Sequence, residues 1–225
     1  MILQSFSAFL CIFVHIVLKT RPESVILYSS YKNTQTHAGG GLPPAVKQAV
    51  ISMSELMNII KSRRSTRAFK PELPPVEQIR RIVEAAEWAP SGMGRYNWHF
   101  SVVYNPEKTL KLARAIAEAD NRGPEYNFYG APVIINISCE RDDRNALLNG
   151  AAAIENLMLA ATELGLGSCW INQVRDQCDV PAVRALLTEY GTPEDHIVTC
   201  SAAIGYIAKE TQPHERREGV CNIVK

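Results

Sequence analysis

The chain is short of several things, and each shortage removes a class of function. Lys and Arg total 24 against 23 Asp and Glu, so the net charge is only +1. That leaves no overall basic excess of the kind that grips nucleic acid. The six cysteines, at 11, 139, 169, 178, 200 and 221, include no Cys-x-x-Cys pair. With no histidine cluster beside them, no zinc-ligand pattern exists. Cys139, Cys169 and Cys200 fall in apolar, strand-like runs and read as reduced buried thiols. They point to a reducing, cytoplasmic compartment. No Gly-x-Ser-x-Gly elbow occurs, so the hydrolase signature is missing. Gly165-Leu-Gly167 lacks the third glycine of the dinucleotide fingerprint and follows a helix rather than a strand, the reverse of the required order. No internal repeat is present. What remains is an ordinary globular composition, 46% hydrophobic and 21% charged, which excludes wholesale disorder.

Charge is unevenly placed along the 225 residues. Residues 1–52 hold Lys19, Arg21, Lys32, Lys47 and a single acid, Glu23, for +3, which leaves −2 for residues 53–225. Met1 to Leu18 is apolar and free of Lys, Arg, Asp and Glu. Its length sits at the lower edge of a membrane span, which needs about 20 residues. Gln4 and His15 interrupt it. A secretory signal carries positive charge ahead of its apolar stretch; here the charges follow. Three readings of residues 1–52 stay open: a membrane anchor through residues 1–18, a cleaved signal, or an upstream extension of the gene. Met53-Ser-Glu-Leu reads as a natural start, with Ser54 capping an apolar helix. The expected organisation is an N-terminal extension over 1–52 and one domain over 53–225.

Within that domain, Ser54 to Ser62 predicts a short helix. Val76, Ile79, Ile82, Val83 and Ala86 recur at helical spacing up to Trp88. Pro90-Ser91-Gly92-Met93-Gly94 breaks the pattern. Trp98 to Tyr104 predicts a strand, Pro106 to Ala119 a helix, and Val133 to Ile137 a buried strand. The longest helix is expected from about Asp143 to Leu164. Gly150 and Ala151-Ala152-Ala153 predict close approach by another helix, as in a central or dimer-interface helix. Leu166–Ile171 predicts a strand, Val180–Glu189 a helix and Ile197–Ile204 a strand. This order supports an α+β or α/β sandwich.

Few residues offer chemistry of their own. Arg63-Arg64-Ser65-Thr66-Arg67 sets three guanidinium groups among two hydroxyls, a pattern suited to phosphate oxygens. Taken alone, the segment is better explained by arginines at a helix end that simply offset the helix dipole. His99 and His196 read as structural, and no carboxylate pair stands out for acid–base work. Anion-binding groups without intrinsic reactivity suit a protein whose cofactor supplies the chemistry.

Five segments in order resemble the FMN-dependent nitroreductase family. They are Arg63-Arg64-Ser65-Thr66-Arg67, Ala89-Pro90-Ser91-Gly92, Tyr129-Gly-Ala131-Pro132, Gly165-Leu-Gly167-Ser-Cys169-Trp170-Ile171, and Gly205-Tyr206 with Arg216-Arg217 in the tail. The resemblance spans nearly all of 53–225 and none of 1–52. It implies an α+β fold with a central mixed β-sheet flanked by helices, and a homodimer with interlocked termini and FMN at the interface. In that frame Arg63, Arg64 and Ser65 hold the phosphate end, joined by Arg216 or Arg217, and Arg67 lies near the pyrimidine edge of the flavin. Pro90, Ser91 and Gly92 come from the other subunit. Trp170, Ile171 and Asn172 border the flavin ring, with a backbone N–H near N5, and no side chain is catalytic.

The family pattern Pro-Ser-x-x-Asn-x-Gln-Pro-Trp is altered here, with Gly94, Tyr96 and Asn97 at the Asn, Gln and Pro positions. The implied activity is a ping-pong transfer. NADH or NADPH gives a hydride to the flavin, and an electron-poor nitroaromatic, quinone or enone takes the electrons. A flavin carrier or sensor without oxidase activity is the alternative, and a specialised dehalogenase or azoline oxidase a third. A compact core implies an open pocket.

Overall fold

The computed structural model describes residues 55–213, 215, 216 and 218–224. One compact unit begins at Ile59 and extends to Lys225. The expected boundary at 52/53, the apolar run 1–18, the Ser54 cap and Arg217 lie outside the described residues.

Residues 55–62 are helical (α1). Helix α2, Val76–Glu87, buries Ile79, Ile82 and Ala86. These positions lie one helical turn apart and so share a face. Val76 is exposed rather than part of that stripe. Strand β1 is Trp98–Val103. Helix α3, Pro106–Ala119, carries proline in its first turn, and the Asn105 side chain accepts the Lys108 N–H at 3.0 Å. Both are helix-start devices, because the first-turn amides have no partner within the helix. Strand β2 is Val133–Glu140, helix α4 Ala146–Glu163 and strand β3 Gly167–Trp170. Two helices, α5 at Gln173–Gln177 and α6 at Pro181–Glu189, precede strand β4 at His196–Gly205.

The four strands form one sheet in the order β1-β2-β4-β3, and every neighbouring pair is antiparallel. The expected mixed sheet is therefore corrected. Strands β2 and β3, joined through α4, do run parallel to each other. Strand β4 inserts between them, antiparallel to both, so no named strand has a parallel neighbour. An isolated parallel bridge joins Ser65 to Ser168.

Both faces of the sheet are covered. On one, Leu112, Ile116, Phe128, Leu187 and the Ile134 side of β2 form a core under α3 and α6. On the other, Ile79, Ile82, Ile154 and Leu157 pack from α2 and α4 onto Val133, Ile135 and Ile137. Burial on both faces explains why β2 reads as a continuous apolar run rather than an alternating one. Gly150 does permit a close approach, but to β4: a β carbon there would meet Thr199. The expectation of a helix against Gly150 is corrected accordingly.

Candidate functional site

The arginine-rich segment is held in an extended path beside edge strand β3. Thr66 donates its N–H to Ser168 O at 2.8 Å. Phe69 donates to Tyr129 O at 3.2 Å, and Lys70 to Tyr206 O at 2.9 Å. Gly167 makes the approach possible, since a β carbon there would lie 2.6 Å from Thr66 Oγ1. The Tyr129 carbonyl belongs to a turn in which Phe128, Tyr129 and Gly130 all have positive φ, at 52°, 62° and 77°. Two aromatic residues in the left-handed region cost on the order of 1–3 kcal/mol each. Such strain persists only where the surroundings enforce it. Here the Asn127 side chain accepts the Gly130 N–H at 3.1 Å.

The tail runs back along the same segment. Ala208 N–H donates to Ala68 O at 3.0 Å, and Thr211 Oγ1 donates to Ser65 O at 3.1 Å. Thr211 was invisible to sequence reasoning, which looked to the two tail arginines instead. Arg216 is exposed, five residues beyond Thr211.

The three guanidinium groups are only lightly engaged. Arg63 Nε lies 3.7 Å from Glu155 Oε1 on α4. Arg64 Nη1 donates to the carbonyls of Lys61 and Arg63, at 2.6 and 2.9 Å. Arg67 Nη1 reaches Ser65 O at a long 3.5 Å. Neighbouring Cys169 feels Arg67 and Arg63, which oppose the upward push that burial gives its thiol. The arginines thus sit beside β3 with much of their donor capacity free.

At the other end of β3, Trp170 is half-buried, and its indole N–H has no partner among the described residues. Ile171 is buried in the core, and its N–H is taken by Ser201 O at 2.7 Å. Neither the Ile171 side chain nor its N–H is thus free for a ligand. Asn172 is exposed and opens α5.

The turn Pro90–Gly94 lies elsewhere. Gly92 N–H donates to Asn149 Oδ1 at 2.8 Å, near the start of α4. Ser91 Oγ accepts the Tyr96 N–H at 3.0 Å, and Met93, Gly94 and Tyr96 have φ of 59°, 62° and 50°. Gly150, next to Asn149, abuts Thr199, whereas Ser168 pairs with Ile204. Five residues of β4 separate those anchor points, about 17 Å at a strand's rise. Within one chain the structure sets Arg63, Arg64, Ser65 and Arg67 along edge strand β3, with Trp170 at its far end and Asn172 just beyond. It leaves Pro90, Ser91 and Gly92 apart from them.

Among the described residues no His, Cys, Asp and Glu group suits a metal ion. Two surface clefts, of about 210 and 180 Å³, are lined by neither region.

An antiparallel sheet between two helical layers, with an arginine-rich segment along its β3 edge, makes an α+β scaffold. The family model described as the Nitroreductase family matches residues 60–206, and the chain belongs to that family. A crystal structure of a nitroreductase with bound FMN from Bacteroides fragilis is 37% identical. It aligns over 76% of this chain and 99% of that one, with a TM-score of 0.71. A Methanothermobacter thermautotrophicus protein described as a candidate NADH dehydrogenase/NAD(P)H nitroreductase is 30% identical, over 71% of this chain and 81% of the relative. An iodotyrosine deiodinase from Thermotoga neapolitana is 28% identical, over 52% of this chain and 73% of the relative.

Proposed function

We propose that this chain is an FMN-dependent oxidoreductase that works as a homodimer. FMN would supply the redox chemistry there, a ping-pong transfer from NADH or NADPH to a nitroaromatic, quinone or enone. The observation that carries the reading is the Thr66–Ser168 hydrogen bond. It sets the arginine cluster on the strand that ends in Trp170 and leads to Asn172, a span that one planar, phosphorylated ligand would bridge. The donor set fits FMN. Arg63, Arg64 and Ser65 suit the phosphate, and Arg216 is a further cation in the tail. Arg67 suits the flavin's pyrimidine edge, where positive charge stabilises a reduced, anionic ring. Asn172 is left to offer a backbone N–H toward N5, since that of Ile171 is engaged.

The separation of Pro90, Ser91 and Gly92 from that cluster supports completion of each site by a second copy. Exposed apolar side chains flank the turn, with Trp88 82%, Met93 75% and Leu148 70% accessible. The tail is exposed at Val220, Ile223 and Val224, and suits an arm that interlocks with the partner. A cytoplasmic setting belongs to the same reading, supported by buried free thiols at Cys139, Cys169, Cys178 and Cys200. Among the described residues no helix is long and apolar enough to cross a membrane.

The test is a visible spectrum and mass of the purified protein, followed by rapid mixing with NADH and NADPH. A yellow dimer whose flavin bleaches on a catalytic timescale is expected. A colourless monomer that ignores added FMN overturns the reading. A yellow dimer that does not bleach supports the carrier or sensor instead. The deiodinase likeness adds an iodinated phenol to the panel of acceptors. Release of iodide with no turnover of nitroaromatics would assign dehalogenation.

A further inference from the structure

We propose that Asp143 and Asn149 are positioning residues for the flavin site. They set the hydrogen-bonding sense of the turn that this chain lends to the site of a second copy. The inference rests on the FMN reading above.

The turn Pro90–Gly94 is tied to α4 through the Gly92 N–H, which meets Asn149 Oδ1 at 2.8 Å. A carboxamide has two ends of nearly equal shape and opposite hydrogen-bonding character. Turned over, Asn149 would present its NH₂ to the Gly92 N–H, donor against donor. Asp143 forbids that orientation. Its carboxylate only accepts, and Oδ2 takes the Asn149 Nδ2 donor at 3.0 Å. Its other oxygen accepts the Asn145 backbone N–H at 2.9 Å. The chain of bonds therefore has one direction, from Gly92 through Asn149 to Asp143.

Asp143 is itself fixed. Its N–H donates to Glu140 O at 3.2 Å, and its carbonyl accepts the Ala146 N–H at 2.9 Å. That clamps it between the end of β2 and the start of α4. Asp143 is 6% and Asn149 3% accessible, so water does not substitute for a lost partner. Asn145 closes the remaining space, since a β carbon at Gly92 would lie 2.5 Å from its Nδ2. The turn is thus seated from below by one buried, polarised relay, while its outer residues Met93 and Tyr96 stay exposed.

A helix start that only stabilised α4 would have the same burial, so the test depends on bond sense. Three variants of the full-length protein are compared: Asp143→Asn, Asn149→Asp, and the two together. Asp143→Asn leaves one acceptor oxygen for two donors, Asn149 Nδ2 and the Asn145 N–H, and sets an NH₂ against one of them. Asn149→Asp sets two buried carboxylates against each other. The double exchange restores every donor–acceptor pair and moves the charge one place toward Gly92. The measurements are FMN affinity by flavin-fluorescence titration, amide exchange over residues 91–94, oligomeric mass and melting temperature.

Each single variant is expected to weaken FMN binding about ten-fold or more, the equivalent of about 1.4 kcal/mol, and to speed exchange of the Gly92 amide. The double variant is expected to recover both. The proposal is overturned if the single variants bind FMN as the parent does. It is equally overturned if the double variant is a folded dimer whose FMN affinity stays low. Should a single variant fail to fold, the double variant decides alone. A parent protein that ignores FMN overturns the flavin reading, and the positioning role falls with it. That result is distinguishable, because Gly92 exchange would still follow the exchange of side chains.

Discussion

Arg67 and Gly150 show two ways in which one residue matters. Arg67 is exposed and lightly bonded, so its truncation should leave the fold intact. Arg67→Ala is expected to weaken FMN binding about ten-fold or more, given about 1.5–3 kcal/mol for a hydrogen bond to a charged group. It should also lower the flavin's reduction potential. Unchanged affinity and potential would remove Arg67 from the site. Gly150 is the opposite case. A β carbon there would come within 2.8 Å of Thr199 Cβ, and Thr199 Oγ1 donates to Ile137 O at 3.0 Å. Gly150→Ala should lower the unfolding free energy by about 1–3 kcal/mol, read from urea midpoints. Burial pushes the Cys139 thiol up to about 11 and the Cys200 thiol up to about 12. Both stay protonated at pH 8, and native-state alkylation there should spare them. The arginine cluster and the Pro90 turn were legible because residue type alone announces a guanidinium or a chain break. Asn149, Glu155 and Thr211 were not. Each meets its partner across 57 or more residues of chain, and nothing local marks an asparagine as the anchor of a distant turn.

At the scale of elements, Asp179 links the end of β2 to α6. Arg141 donates to it with both terminal nitrogens, at 2.9 and 2.8 Å, and Arg184 adds a third bond at 2.7 Å. These guanidinium groups hold the Asp179 carboxyl well below the usual carboxylate range. The folded protein then binds that proton less readily than the unfolded chain. The stabilisation is present above the ordinary carboxyl value near 4 and fades as pH falls through the depressed one. Asp179 is largely solvent-accessible, so its share is below about 1 kcal/mol. Asp179→Asn should flatten the acid limb of stability below about pH 4 while costing little at pH 7, as measured by denaturation across pH. Elements with strong period or clear caps were read well: α3 was placed at its observed limits. Helix α5 was missed, because five residues are too few to show a helical period. The mixed sheet was expected from the family resemblance, and the order of elements along the chain does not fix which strands become neighbours. The return of β4 between β2 and β3 depends on contacts made only in the folded chain.

For the whole molecule, the proposed dimer makes cofactor binding and assembly one equilibrium. A ligand that spans two copies binds only their assembled form, so FMN at about 100 times its dissociation constant should add about 2.7 kcal/mol of stability. Dilution should release flavin and subunits together. A melting temperature that rises with FMN but ignores protein concentration would separate the two and argue for a site complete within one chain.

In the proposed dimer, the distance between the arginine edge and the Gly92 turn would have a genetic consequence. A copy disabled at Arg67 still lends a sound turn, and a copy disabled at Asn149 still offers a sound arginine edge. In a hybrid of the two, one site inherits both defects and the other inherits neither. Two inactive proteins, unfolded together and allowed to reassort, should therefore regain about a quarter of the parental sites by random pairing of a two-fold dimer. Complementation between dead alleles, normally evidence of separate genes, would here arise from one.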